Sequence, residues 1–269
     1  MKMRSTLFCL AAGAWLLTAQ TASAQLLNLE TGDGPIEIDA SEALEWRSED
    51  QQYVAQGDAR VRQGENEVRA DTLTADYRDD ADGNTEIYRL TAEGSVEIDS
   101  EQARIRGDRA IYNLTDETFV LTGSNILLET EEDRVTASDR LEYNQRTGVA
   151  VARGNATVER EGQQVEADTI TAYIVTGANG EQELDRVLVQ GNVRVSSPDG
   201  IATAEEGVYD AINNVATLSG SVRITRGETV LSGDMAEVNL DTGVSRLLAQ
   251  SDGQGLVGGV LVPEDAPSE

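Results

Sequence analysis

The hexapeptide Ala-Asp-Thr-Leu-Thr-Ala at residues 70–75 returns as Ala-Asp-Thr-Ile-Thr-Ala at residues 167–172, a shift of 97 positions. The same shift superposes three pairs of glycines: Gly57 on Gly154, Gly94 on Gly191 and Gly123 on Gly220. We interpret the chain as a tandem duplication with units at about 40–136 and 137–231, followed by closing strands at 232–262. Repetition of this kind is typical of structures that grow by adding similar units.

Apolar and polar residues alternate between the repeated glycines, for example at 36–40, 59–62, 96–98, 170–174 and 193–195. Period two over many short segments predicts β-strands with one buried face, and turn signals such as Thr147-Gly148 separate them. We expect about twenty or more antiparallel strands of ordinary length. Alternation alone leaves a sandwich, a jelly roll and a solenoid open.

A glycine followed by Asn, Asp or Ser recurs at positions 57, 94, 123, 154, 191 and 220. Glycine adopts positive φ without steric cost. We therefore expect these pairs to form tight connections between strands.

The first 24 residues are typical of a secretory signal peptide. Lys2 and Arg4 precede an apolar run at 7–17, and small residues at 22–24 suit cleavage before Gln25. No later run approaches the ~18 apolar residues of a membrane span. The sequence predicts an exported protein without a transmembrane segment, and residues 263–269 form an acidic tail that we expect to be disordered.

The composition is strongly acidic, with a formal net charge of −28, which becomes −30 when Lys2 and Arg4 are removed with the signal peptide. A charge of this sign argues against nucleic acid as a partner. Cys9 lies inside the signal peptide, so the mature chain contains no disulfide and no cysteine-based metal site.

Enzyme chemistry has little support, because the mature chain contains no His, Cys or Lys. The usual general base, thiolate and Schiff-base amine are therefore missing, and no cofactor motif is present. Carboxylates alone leave a polysaccharide hydrolase or lyase open. The recurring aspartates repeat with the fold unit, which favours turn residues that accept backbone N–H bonds over a catalytic pair or calcium ligands: Asp71, Asp108, Asp139, Asp168 and Asp234.

Several ordered motifs together resemble a known family. Pro-Ile-Glu-Ile at 35–38, the Ala-Asp and Gly-Asn/Asp-Val modules, Phe-Val-Leu-Thr-Gly at 119–123 and Val-Leu-Val-Pro at 260–263 are similar to the LptA family of periplasmic lipopolysaccharide transport proteins, also called the OstA family. The likeness covers nearly the whole mature chain. It implies an open, twisted antiparallel β-jelly roll that holds lipid A acyl chains, within a bridge that assists outer-membrane assembly. Such a bridge joins an inner-membrane LptC-like protein to an outer-membrane LptD-like protein.

The resemblance also points to lipid-binding residues. Ile36 and Ile38 match the family's N-terminal strand at the border of the groove, and five further residues lie on comparable inward faces: Val61, Val96, Ile98, Ile126 and Leu128. Ordinary core packing is the alternative role for each. Six arginines alternate with apolar residues, so we expect them to face outward and to neutralise nearby acids rather than bind phosphate: Arg60, Arg62, Arg69, Arg104, Arg106 and Arg109.

Unpaired terminal strands at 36–40 and 259–262 are candidate edges for β-augmentation, which suits head-to-tail self-association. The sequence therefore predicts a passive lipopolysaccharide carrier. A self-associating β-scaffold is the structural alternative.

Overall fold

The structure, a computed structural model, describes residues 35–79, 84–177, 182–198, 200–242, 244–249 and 257–260. The predicted signal peptide and acidic tail lie outside these residues. The described residues form 18 β-strands: β1 Glu37–Asp39, β2 Ala43–Arg47, β3 Gln52–Gln63, β4 Asn66–Asp79, β5 Thr85–Asp99, β6 Arg104–Asn113, β7 Thr118–Thr122, β8 Ile126–Glu129, β9 Asp133–Ala137, β10 Arg140–Asn144, β11 Val149–Arg160, β12 Gln163–Thr176, β13 Gln182–Ser197, β14 Gly200–Asp210, β15 Val215–Arg226, β16 Thr229–Asn239, β17 Val244–Leu248 and β18 Gly258–Val260. Within these ranges no helix is suited to crossing a membrane.

The long strands belong to two sheets at once. In β3, residues 52–56 pair with β2, whereas residues 60–62 pair with β1. In β11, residues 149–153 pair with β10, whereas residues 157–160 pair with β9. We call the sheet that contains β2, β7, β10 and β17 the first sheet, and the sheet that contains β1, β8, β9 and β18 the second sheet. Two antiparallel sheets that share bent strands form an open β-jelly roll, so the predicted fold class is confirmed.

The repeated glycines cause the bends. Gly57 and Asp58 have φ of 79° and 42°, and the register of β3 on β4 shifts between Gln56 and Ala59. Equivalent shifts follow Glu93, Arg153, Gln190 and Ser219. The expected positive φ is confirmed for these five glycines, but their expected placement between strands is wrong. The sixth, Gly123, does lie between strands, β7 and β8, as predicted. A two-residue bulge bends a strand while its pairing continues on both sides, so the strands are longer than expected, up to 16 residues in β13.

Three of the recurring aspartates, Asp71, Asp139 and Asp168, stand beside these bends, and Asp108 stands beside Gly123. Asp108 Oδ2 accepts a hydrogen bond of 3.1 Å from the backbone N–H of Ser124. Asp168 accepts bonds of 3.1 and 2.9 Å from the Asn192 side chain, which follows Gly191. Among the described residues, no group of three or more acidic side chains is arranged to hold a metal ion. Turn stabilisation, as predicted, is the role that the contacts of Asp108 show.

Five of the six predicted outward arginines lie on the outer face of the second sheet, and Arg109 lies in the first sheet, where it pairs with Thr122 of β7. Arg62, Glu67, Asp99 and Arg104 are successive partners across β3 to β6. Arg104 Nε lies 2.8 Å from Asp99 Oδ1. The other five predicted outward arginines also form ion pairs, with Glu67, Glu93 or Glu97. Cross-strand pairs of opposite charge favour this register, and the predicted outward, acid-neutralising role is confirmed.

The two sheets enclose one hydrophobic core. Its buried members include Ala92 and Leu121 of the first sheet together with Val96 and Ile105 of the second. The two halves of the chain join in register, because β7 pairs with β10 and β8 pairs with β9. Each sheet therefore continues from the N-terminal to the C-terminal half.

Candidate binding cavity

A cavity of about 1120 Å³ lies between the two sheets in the C-terminal half. Both sheets contribute apolar side chains to its walls: Leu141, Ala152, Ile170, Val189 and Leu218 from the first sheet, and Leu128, Val135, Val158, Val165, Val195 and Ile224 from the second. The volume exceeds the ~300–1,000 Å³ of ordinary small-molecule pockets. The space therefore suits a large apolar ligand.

Strand register turns these side chains inward. Ala152 pairs with Ile170, and Ile170 pairs with Val189, so the three residues share one face of the first sheet. Thr169 and Thr171 flank Ile170 and lie on the opposite face, because successive side chains of a strand alternate. The period-two pattern in the sequence therefore separates a lining position from an outward one by a single residue.

Small side chains create much of the space. Seven alanines line the cavity: Ala150, Ala152, Ala172, Ala202, Ala211, Ala216 and Ala236. A methyl group fills little of the distance between two facing sheets, which are usually about 10 Å apart. Space remains because the surrounding backbone is fixed by its ladder of hydrogen bonds.

Two tyrosines supply the aromatic part of the lining. Tyr209 donates a hydrogen bond of 2.9 Å to Asn214 Oδ1, and Tyr143 Oη lies 3.4 Å from its donor, Gln182 Nε2. Burial raises the pKa of both phenols, and the nearby Asp241 and Asp210 raise that of Tyr209 further. Both rings therefore remain neutral at pH 7 and add apolar area.

The charged lining residues are mainly acidic, with six carboxylates and the two arginines Arg160 and Arg226. Arg160 forms ion pairs with Asp133 and Glu132, and its side chain is 18% exposed. Its hydrogen bond to Asp133 is the main cause that raises the pKa of the guanidinium. Glu101, Glu131 and Glu183 also contribute to the lining. Because Arg160 is already neutralised by acids, the apolar walls are the feature best suited to retain a ligand.

The structure places the predicted lipid-binding residues in three settings. Ile36 and Ile38 stand at the N-terminal end, 53% and 47% exposed, and Val61 is half-buried beside Ile38. Three others are buried in the core between the sheets: Val96, Ile98 and Ile126. Leu128 is buried and also lines the cavity. Their role in lipid binding stays a prediction.

Sequence reasoning missed the lining residues of the C-terminal half, including Ile170, Val189 and the alanines. A signal for them exists in the repeat itself. Two inward positions occupied by large side chains in the first unit, Ile105 and Phe119, are occupied by Ala202 and Ala216 in the second. A comparison of side-chain volume across the 97-residue shift finds the hollow part of the chain.

The fold and the cavity define an all-β protein with an interior suited to apolar ligands. The family described as "LptA/(LptD N-terminal domain) LPS transport protein" matches the chain twice, at residues 37–148 and 136–244. These matches cover more than half of the sequence, and the chain belongs to this family of lipopolysaccharide transport proteins. The predicted family membership is confirmed.

Two individual proteins are also similar. An uncharacterized protein of Rhizobium meliloti (strain 1021) is 30% identical over 137 residues, which cover 49% of this chain and 73% of the relative. Among solved structures, LptH of Pseudomonas aeruginosa is described as the LptA homologous periplasmic component of the conserved lipopolysaccharide transport device. It aligns with a TM-score of 0.41 and 17% identity, over 49% of this chain and 95% of LptH.

Proposed function

We propose that this protein is a non-enzymatic periplasmic carrier that binds lipopolysaccharide by enclosing lipid A acyl chains between its two sheets. The observation that carries the proposal is the cavity of about 1120 Å³ with aliphatic walls from both sheets. Family membership supplies the class of cargo, and the predicted signal peptide supplies the compartment.

Acyl chains are retained by burial alone. Each methylene removed from water contributes about 0.8 kcal/mol, so several long chains need no charged contact for tight binding. This accounts for an acidic protein that handles a phosphorylated glycolipid. The hydrocarbon enters the cavity, and the phosphorylated sugars remain in solvent, where salt screens repulsion beyond about 8–10 Å.

The ends of the two sheets suit a bridge between membranes. In the described residues, β1 and β2 pair with β3 on one side only, and β17 and β18 pair with β16 on one side only. Apolar side chains are exposed at both ends, with Trp46 at 70% and Val244 at 48%. Strand addition at such edges extends a sheet by main-chain hydrogen bonds. We assign these ends to an LptC-like inner-membrane partner, an LptD-like outer-membrane partner or a second copy of this chain, with Ile36, Ile38 and Val61 continuing the lipid path there.

Site-specific photo-crosslinking tests the carrier function. A photoreactive amino acid replaces Ile170, which lines the cavity, or the neighbouring Thr171, which lies on the opposite face of the same strand. The folded protein is mixed with purified lipopolysaccharide and irradiated. We expect lipopolysaccharide adducts at position 170 and few at position 171.

Equal adduct yields at the two positions would indicate contact with the surface and would contradict the proposed cavity site. A complete lack of adducts at both, with native circular dichroism, would favour the β-scaffold alternative.

A further inference from the structure

The space between the sheets is interrupted near the middle of the chain. Four inward side chains there are almost fully buried: Ile105 at 1%, Phe119 at 2%, Leu121 at 0% and Ile126 at 2% exposed. On their N-terminal side, Leu44 and Trp46 of the first sheet are exposed at 63% and 70%. On their C-terminal side lies the cavity. We call these four residues the central plug.

The tandem repeat shows why the chain is closed at one place and hollow at another. Ile105 pairs with Ile98, and its counterpart Ala202 pairs with Val195. Phe119 pairs with Tyr112, and its counterpart Ala216 pairs with Tyr209. The register is the same in both units, so the difference lies in the side chains. Where the second unit has Ala in place of Ile or Phe, less side-chain volume fills the space between the two sheets, although the backbone pairing is the same.

We propose that the central plug divides the groove, so that acyl chains are held in the C-terminal unit and do not run continuously through the chain. Ile105 and Phe119 act as specificity-determining residues: their bulk sets the N-terminal limit of the acyl chains. Ala202 and Ala216 keep the binding space open. The inference rests on the proposed lipid-carrier function and assigns its cargo to one of the two units.

A plug made only of side chains has a direct consequence for transport. Lipid that moves along the bridge must displace Phe119 and its neighbours or part the sheets, since well-packed cores contain few voids larger than a water molecule. The plug therefore separates the exposed N-terminal end of the groove from the C-terminal cavity.

The repeat offers a matched pair of reporter positions for the test. Leu73 and Ile170 occupy the same place in their units, and each pairs with an alanine and a residue of the next long strand: Ala55 and Ala92, or Ala152 and Val189. A photoreactive amino acid at either position reports lipopolysaccharide in its own unit. Two double variants exchange the character of the units: Ile105→Ala with Phe119→Ala, and Ala202→Ile with Ala216→Phe.

In the otherwise native protein we expect roughly tenfold more lipopolysaccharide adduct at position 170 than at position 73. This is the factor expected if an acyl chain in the N-terminal unit buries about two methylenes fewer than one in the C-terminal unit. Removal of the plug should raise the adduct yield at position 73. Filling of the cavity by Ala202→Ile with Ala216→Phe should lower the yield at position 170 by a similar factor, with native circular dichroism retained.

Comparable yields at positions 73 and 170 in the native background would overturn the plug and leave the carrier function intact. An unchanged yield at position 170 after the cavity is filled would also overturn it. If neither position reacts in a folded protein, both the plug and the carrier function fail. If the variant Ile105→Ala with Phe119→Ala does not fold, the comparison of positions 73 and 170 in the native background and the variant Ala202→Ile with Ala216→Phe still test the plug.

Discussion

The contact between Gly107 and Leu121 gives a sharp test of packing at the central plug. A Cβ atom added at Gly107 would lie 2.7 Å from Leu121 Cδ1 and 2.8 Å from Cγ, and Leu121 is fully buried. The φ of Gly107 lies outside the left-handed region, so an alanine there meets a steric conflict and no backbone strain. We expect Gly107→Ala to cost about 1–3 kcal/mol through overpacking. Leu121→Ala should cost about 2–5 kcal/mol through the lost side chain and the cavity left behind.

The two changes should not add. The atoms that clash with the new methyl group are those that Leu121→Ala removes, so Gly107→Ala should cost close to nothing in the Leu121→Ala background. A coupling free energy of about 1–3 kcal/mol is therefore expected in a double-mutant cycle, measured by urea unfolding followed with circular dichroism. Gly207→Ala is the matched control: its nearest neighbours, Val189 and Leu218, line the cavity and have space to move, so its cost should stay below about 1 kcal/mol. Additivity of Gly107→Ala and Leu121→Ala to within about 0.5 kcal/mol would refute the reasoning.

Two further changes test the bends and a buried carboxylate. Asp76 is buried, and burial raises its pKa, but hydrogen bonds of 2.7 Å from Arg89 and 2.8 Å from Gln52 outweigh this and hold the pKa below its usual value. The stabilisation from Asp76 is thus present above the unfolded pKa of about 3.9 and is lost as the pH falls. Asp76→Asn should therefore lower the urea midpoint at pH 7 and lower it much less near pH 2, whereas the exposed control Asp79→Asn should not lower it at either pH. An equally large effect of Asp76→Asn in acid would contradict this. Gly191→Ala places a methyl group at a φ of 77° against Asp168, whereas Gly162→Ala has the same φ of 77° and no heavy atom within 4 Å of the new methyl group. Thermal unfolding should show a loss of stability of about 1–2 kcal/mol from backbone strain at Gly162 and a larger loss at Gly191. Equal losses of stability would exclude a steric contribution from Asp168.

Much of the architecture could be predicted from sequence, because alternation is a local signal and the duplication is visible when the chain is compared with itself. Val61, Val96, Ile98, Ile126 and Leu128 do face inward, since period two assigns a face without any knowledge of the partner strand. The bends were harder. A Gly-Asn pair with positive φ is found both in hairpin turns and in bulges, and only the ladder on both sides of Gly154 or Gly191 distinguishes them.

The position of the cavity was not predicted, because the separation of two sheets depends on summed side-chain volumes across them. Ile98 and Ile170 are both buried inward residues, each 6% exposed, yet Ile98 pairs with Ile105, whereas Ile170 pairs with Ala152 and also lines the cavity. A single strand does not contain that information. The comparison of Ile105 with Ala202 and of Phe119 with Ala216 does contain it, because the repeat supplies the same backbone with two sets of side chains.

The pairing of β7 with β10 and of β8 with β9 has a consequence for assembly. Where two separate molecules meet end to end, the junction forms at high protein concentration and dissociates on dilution. Here the corresponding junction is made within one polypeptide, so its effective concentration is fixed by the chain and not by the amount of protein present. If the chain works in the proposed end-to-end bridge, duplication converts one of that bridge's association equilibria into a folding step.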